Sequence, residues 1–110
     1  MKTIIEKDAP VVTLINVFTV DSSRQDELLK LLDDATEQVI CKLPGFVSAN
    51  IHRGLDGRYV ANYAQWASRE AVEAMLANPE AQHHIRLAAS MAQYAPSLYS
   101  VASVHRRQDE

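Results

Sequence analysis

Residues 44–66 read PGFVSANIHRGLDGRYVANYAQW, and this stretch decides the fold of the 110-residue chain. Two runs of strand-forming residues, Phe46–Arg53 and 58–66, flank the segment GLDG at positions 54–57. An Asp-Gly pair between two such runs is a strong signal for a β-hairpin. The sequence therefore predicts that the two strands pair in antiparallel fashion around a short loop.

One face of the second strand has the composition of a binding-pocket wall. Successive residues of a strand point to opposite faces. The residues that share this face are Val60, Asn62, Ala64 and Trp66. They place an amide and an indole N–H among small apolar side chains, a pattern typical of an apolar pocket with a few polar groups that orient a ligand. Asparagine is disfavoured within strands, which favours a functional role for Asn62.

The register of the hairpin decides which face carries His52. A two-residue Asp-Gly loop would pair Ile51 with Asn62 and turn His52 to the opposite face. A three-residue Leu-Asp-Gly loop, with Gly57 left-handed in a bulge, would place His52 on the Asn62 face. We expect the three-residue loop, because Leu55 fits poorly beside a two-residue turn.

The rest of the chain predicts three helices and two further strands. The predicted elements are a strand over 11–20, a long helix that follows the capping residues 21–23 and ends near 43, a short helix over 69–77 capped by Ser68, a helix over 79–94 capped by Asn78, and a strand over 97–106. This βαββαβ order indicates an α+β, ferredoxin-like fold, with helices on one face of an antiparallel sheet. The length suits a single domain over residues 1–110, with a core at about 10–106.

The face of the sheet without helices needs a cover. The first strand, VVTLINVFTV, is apolar on both faces, and so is the third. We expect a second copy of the chain to cover the open face with twofold symmetry, which would form a barrel-like homodimer. The alternative is a monomer with a mildly apolar exposed face.

Composition excludes several classes of function. The net charge is −3, and the short basic run at 105–107 is followed by acids, so a nucleic-acid footprint is not expected. No apolar run is long enough to span a membrane, and the N-terminal segment, which contains acidic residues and no long apolar core, does not resemble a signal peptide. The single cysteine, Cys41, cannot form an internal disulfide, which favours a cytoplasmic location and a structural role for Cys41.

The chain offers no recognisable metal or nucleotide motif. His83 and His84 are adjacent, so on a helix they diverge and do not chelate one ion easily. No cluster has the spacing of a zinc site, and there is no glycine-rich phosphate loop. We therefore expect neither a metal nor a nucleotide cofactor.

Five candidate residues remain for a functional site. They are Asn16, His52, Asn62, Trp66 and Arg86. Four of them have a structural alternative: a hydrogen bond to a neighbouring backbone group for Asn16, a solvated position for His52 and Arg86, and core packing for Trp66. These residues alone leave the reaction type open.

The region PGFVSANIHRGLDGRYVANYAQWASREAVEAML resembles the antibiotic biosynthesis monooxygenase domain, a family of dimeric α+β barrels. The resemblance extends over about residues 10–105. Within the family, the chain is most similar to the small anthrone oxygenases of aromatic polyketide pathways. This resemblance implies that a planar, anthrone-type substrate is oxidised to a quinone by O₂, without metal, flavin or haem. The implied steps are deprotonation of the substrate and electron transfer to O₂.

The resemblance also implies roles for particular residues. Asn62 and Trp66 match the catalytic Asn-x-x-x-Trp strand, and a family His and Arg correspond to His52 and Arg86. Asn16 matches a pocket asparagine of the first strand. The substrate-binding residues expected beside it are Val60, Ala64 and Val72. Val72 stands where some anthrone oxygenases carry a tyrosine, so the substrate contact differs there.

Other activities occur on the same fold, and fold alone does not choose among them. The alternatives are haem degradation, for which His83 or His84 would be the axial ligand, another small-molecule enzyme and a non-catalytic ligand-binding module.

Overall fold

A four-stranded antiparallel sheet with helices on one face organises the chain. The computed structural model describes residues 2–108. Its elements are β1 Val12–Val20, α1 Gln25–Gln38, β2 Phe46–Arg53, β3 Tyr59–Trp66, α2 Arg69–Ala77, α3 Pro79–Ala89 and β4 Ala92–Tyr99. The strand order β2-β3-β1-β4 confirms the α+β, ferredoxin-like plan. In the described residues no helix is both long enough and apolar enough to cross a bilayer.

The hairpin forms as predicted, but the expected register is wrong. Ile51 pairs with Asn62, and His52 pairs with Ala61. His52 therefore lies on the face of the sheet opposite to Asn62, because one residue of shift reverses every side chain. The loop holds four residues, 55–58, closed by a hydrogen bond of 2.8 Å from the Gly54 N–H to the Tyr59 carbonyl.

Two features explain this longer loop. Leu55 is fully exposed at the tip of the loop, so its side chain does not restrict the turn. Gly57 adopts the expected left-handed conformation, with φ 85°. The side-chain amide of Gln25 in α1 donates to the carbonyls of Gly54 and Tyr59, at 2.9 and 3.0 Å. This contact between distant parts of the chain holds the loop base, and hairpin residues alone do not reveal it.

The last helix ends earlier than expected, and the last strand both begins and ends earlier. The helix predicted to reach residue 94 ends at Ala89, and the strand predicted over 97–106 spans Ala92–Tyr99. Pro96 lies inside β4 instead of stopping the helix before it. Because β4 is an edge strand, the missing N–H of Pro96 can face away from the sheet without breaking the pairing with β1.

Helix starts follow the capping residues read from the sequence. The Ser68 hydroxyl accepts the Ala71 N–H at 3.1 Å, and the Asn78 side chain accepts two N–H groups of α3 at 2.9 and 3.0 Å. Before α1, the hydroxyl and the backbone N–H of Ser23 donate to Asp21, which lowers the pKa of that carboxyl below its ordinary value. The α1 helix ends at Gln38, and a 3₁₀ turn over Ile40–Lys42 replaces the expected continuation to residue 43.

Two apolar clusters fill the space between sheet and helices. One surrounds Trp66 and includes Val72 and Met75. The other surrounds Leu28 and includes Val60. The face of β3 that carries Val60 and Trp66 is thus the face that the helices cover.

The opposite face of the sheet is covered only in part. An N-terminal segment lies against it, where the Thr3 hydroxyl donates to the Asn50 side chain at 2.7 Å and the Gln65 amide donates to the Ile4 carbonyl at 2.8 Å. Val17 remains 40% exposed on this face.

The Asn78 cap gives a direct test of how α3 is held. Asn78→Ala should lower the free energy of unfolding by about 1 kcal/mol, because two N–H groups at the start of α3 lose their acceptor. Urea denaturation followed by circular dichroism measures the change. Asn78→Asp, which keeps an acceptor oxygen, should stay close to the parent protein. Equal stability of the alanine variant would show that the cap does not hold α3.

Candidate active site

A cavity of about 290 Å³ lies between the sheet and all three helices. Its walls are largely apolar, with a few polar side chains among them. The lining residues are Leu14, Asn16, Phe18, Leu32, Ala35, Asn62, Met75, Leu76, His84, Ile85, Ala88, Tyr94 and Pro96. The set draws on both apolar clusters, so the cavity lies where the two clusters meet.

Three buried polar atoms without a hydrogen-bond partner belong to residues that line this cavity. They are Asn16 Oδ1, Asn62 Oδ1 and His84 Nδ1, and within residues 2–108 they are the only buried side-chain nitrogen or oxygen atoms in that state. A buried polar atom left unpaired costs roughly 1–3 kcal/mol. Native structures rarely keep such atoms without a reason, and a bound ligand is the simplest partner for three that share one cavity.

The two amides are placed by the pairing of the central strands. Asn16 in β1 stands directly opposite Asn62 in β3. Side chains in such a pair have Cβ atoms about 5 Å apart on the same face of the sheet. Each amide can present its oxygen or its NH₂ group to a ligand, because the two ends exchange by rotation of the terminal torsion. The pair is therefore a compact site for a phenolic or enolate oxygen.

His84 is the third polar group, and the sequence predicted it only as an alternative haem ligand, not as part of this site. It lies on α3 between Ala81 and Ala88, which are 0% and 3% exposed, so this side of the helix faces the sheet. His83 is exposed, with its ring centroid 5.5 Å from that of His84. The spacing of Ala81, His84 and Ala88 at i, i+3 and i+7 is the helical signal that could have shown which histidine points inward.

Four residues expected at the site lie in the packed core instead of on the cavity wall. Trp66 is 1% exposed and meets Phe46 edge-to-face, with 5.4 Å between ring centroids. It lies four residues along β3 from Asn62, about 13 Å at the usual strand rise, which separates the indole from the amide pair. The others are Val60, Ala64 and Val72, each buried in one of the two apolar clusters.

The structure does not bring His52 or Arg86 to the cavity. His52 lies on the open face of the sheet, where its Nδ1 is 2.9 Å from the Asn50 carbonyl oxygen. Arg86 is on α3 but exposed. Among the described residues, the polar side chains that line the cavity are thus those of Asn16, Asn62, His84 and Tyr94.

The electrostatics of the cavity suit an uncharged ligand. Among the described residues no carboxylate, lysine or arginine lines it, and no three His, Cys, Asp or Glu side chains gather as a metal site.

A wider groove beside α1, of about 610 Å³, has a different character. Its charges pair with one another, Lys30 with Asp34 at 3.0 Å and Arg53 with Asp26, so it is a solvated surface.

Comparison with known proteins gives a family match and a similar enzyme. The family model described as antibiotic biosynthesis monooxygenase matches residues 11–87. Tetracenomycin-F1 monooxygenase of Streptomyces glaucescens is 44% identical over 84 residues, which cover 76% of this chain and 75% of that protein.

Solved structures share the fold. A monooxygenase from the gene ActVA-Orf6 of Streptomyces coelicolor, solved with the ligand nanaomycin D, gives a TM-score of 0.79 at 25% identity, covering 88% of this chain and 92% of that one. An asparagine-to-alanine variant of SnoaB, a cofactor-independent oxygenase from Streptomyces nogalater, gives 0.79 at 23% identity, covering 87% and 97%. Because the family model matches residues 11–87, which are most of this chain, the chain belongs to the antibiotic biosynthesis monooxygenase family.

Proposed function

We propose that the protein is a cofactor-independent monooxygenase that oxidises a planar, anthrone-type aromatic polyketide to a quinone with O₂. The observation that carries the proposal is the pair of buried, unpartnered amides in an otherwise apolar cavity. The 44% identity to tetracenomycin-F1 monooxygenase supports this class of substrate.

The chemistry draws on the acidity of the substrate itself. Loss of a proton from the anthrone methylene leaves a delocalised anion, which can pass one electron to O₂. Recombination of the two radicals forms a C–O bond, and the resulting peroxide loses water to give the carbonyl. One oxygen atom of O₂ enters the product, and the other leaves as water with the two methylene hydrogens.

The cavity provides apolar walls for a ring system and hydrogen-bond donors for a developing negative charge. Apolar walls such as Leu14, Phe18 and Ile85 contact a flat ring system. The amides of Asn16 and Asn62 hold the oxygen on which negative charge develops, in surroundings where such hydrogen bonds are stronger than in water. At about 290 Å³ the cavity lies at the small end of the usual range of ~300–1,000 Å³ for ligand sites, which favours a compact polycycle.

The other candidate residues, Trp66, His52 and Arg86, do not contact the substrate in this proposal. Trp66 packs against Phe46 and supports the strand that presents Asn62. His52 and Arg86 lie away from the cavity, and we assign them no step of the reaction within one chain.

The amide pair can be tested by opposite effects on activity and stability. Asn62→Ala and Asn16→Ala should each lower kcat/KM for 1,8-dihydroxyanthrone by roughly 100-fold, the scale of losing one donor to a developing anion. Their free energies of unfolding should be unchanged or higher, because the lost Oδ1 atoms have no protein partner. Oxygen-electrode assays and urea denaturation measure the two quantities.

The capping variant Asn78→Ala is the matched control, since it loses stability without altering the cavity wall. Full activity in both cavity variants, or a large loss of stability in both, would contradict a ligand-binding role for the amides.

Removal of metals tests the cofactor-free chemistry. After exhaustive dialysis against a chelator, O₂ consumption with 1,8-dihydroxyanthrone should be unchanged, because the cavity lining offers His84 as its one good metal ligand among the described residues. Activity that disappears and returns only with a metal or a flavin would overturn the proposal. A Soret band on titration with hemin, without anthrone oxidation, would favour the haem-degrading alternative.

We also propose that the protein forms a homodimer through the open face of the sheet. Besides Val17, this face carries Tyr99, which is 50% exposed, and the half-buried Ile15. Its polar groups include Asn50 and Gln65, which bond to the N-terminal segment. An apolar face with little charge suits burial against a second copy related by twofold symmetry.

A charge at the centre of that face tests the homodimer. The parent protein should elute with the mass of two chains in size-exclusion chromatography with light scattering. Val17→Asp should shift it towards the monomer, because the carboxylate would be buried without a partner. Leu55→Asp, on the exposed hairpin loop, is the control and should remain a dimer. A parent protein with the mass of one chain would contradict the assembly.

A further inference from the structure

We infer that His84 is the base that removes the first proton from the substrate, an inference that rests on the proposed oxidation. Of the residues lining the cavity, His84 and Tyr94 are those with titratable side chains, among the described part of the chain. A neutral phenol is a poor proton acceptor, whereas a neutral imidazole accepts protons near neutral pH. The choice within the cavity therefore falls on His84.

The unpaired ring nitrogen of His84 supports this role. The Nδ1 atom of His84 is buried and has no hydrogen-bond partner in the protein. In the neutral tautomer with its hydrogen on Nε2, Nδ1 carries a free lone pair, which is what a base needs. The other titratable groups nearby are His83 on the same helix, whose ring meets that of His84, and Tyr94 of β4, which lines the same cavity. No carboxylate lines the cavity, within the described residues, to hold Nδ1 in a salt bridge.

The placement of His84 complements that of the amides. Asn16 and Asn62 project from the sheet, and His84 projects from α3, so the groups approach the cavity from its two layers. A flat molecule that bonds its oxygen to the amides extends its ring between these layers. The base then stands on the helix side and the anion-stabilising groups on the sheet side, which is the separation that carbon deprotonation requires.

The proton balance closes on His84. A C–H bond of the methylene breaks, its electron pair stays on the substrate as the delocalised anion, and the proton moves to Nδ1. After O₂ has taken one electron and the two radicals have joined, the imidazolium returns the proton to the peroxide anion. His84 then removes the second methylene hydrogen as the O–O bond breaks, and it delivers that proton to the departing hydroxide. The products are the carbonyl and water, and His84 is neutral again.

Hydrogen exchange without oxygen isolates the first step from the rest. Under argon in D₂O, the protein should accelerate exchange of the methylene hydrogens of 1,8-dihydroxyanthrone above the buffer rate, followed by NMR. His84→Gln, which keeps a polar side chain of similar reach, should lower this acceleration by roughly 100-fold. His83→Gln alters the exposed neighbour on the same helix and should retain it. Unfolding by urea verifies that each variant is folded, and His84→Asn provides a second substitution if the glutamine variant is not.

The outcomes separate this inference from the proposed function. Exchange that depends on His84, with no O₂ uptake in air, would support His84 as the base and refute the oxygenase. Exchange at the parent rate in folded His84 variants, or no acceleration by the parent protein, would overturn the assignment of His84. The same holds if His84→Gln loses O₂ uptake but keeps the exchange, because His84 would then act after deprotonation.

Discussion

Two unpartnered amides, side by side on the central strands, are the constraint on which the rest of this structure depends. Asn16 and Asn62 pair across β1 and β3 on the face that the helices cover. Apolar residues there would stabilise the sheet more, because the amide oxygens are buried and lack partners. In the proposed function, a bound ligand supplies the missing partners, and the cavity beside the pair admits it.

The fold around the amides keeps that cavity open. Separate apolar clusters pack on either side, one around Trp66 and one around Leu28, so neither has to fill the space between them. The α3 helix closes the cavity, and Asn78 fixes where that helix begins. Because Ala81 and Ala88 are small and buried, α3 lies close to the core and brings His84 to the cavity.

Local signals in the sequence were enough to predict most of the fold. The hairpin, the caps at Ser68 and Asn78 and the order of elements depend on neighbouring residues, and all three are confirmed. The prediction of the hairpin register was wrong because Gln25, which is distant in sequence, bonds to the base of the loop. The predicted position of the last strand was wrong because a proline such as Pro96 usually ends a helix. Pro96 is tolerated inside β4 because β4 is an edge strand, and only the full topology shows this.

The site was only partly predictable for a related reason. Alternation along β3 correctly placed Asn62 and Trp66 on one face, but it says nothing about distance along the strand, and Trp66 lies in the core. His84 was set aside because it stands beside His83, and adjacency in sequence argues against chelation. Which of the two faces the sheet depends on how α3 packs, and that is a property of the tertiary structure.

The central claim is that a planar aromatic ligand binds between the amide pair and His84. Two-dimensional NMR of the ¹⁵N-labelled protein, titrated with the unreactive product analogue 1,8-dihydroxyanthraquinone, tests it directly. The side-chain signals of Asn16, Asn62 and His84 should shift with a common saturation curve, while the side-chain amide of Asn50 on the opposite face stays unchanged. Shifts at Asn50 and His52, with Asn16 and Asn62 unaffected, would place the ligand on the other face of the sheet and contradict the account.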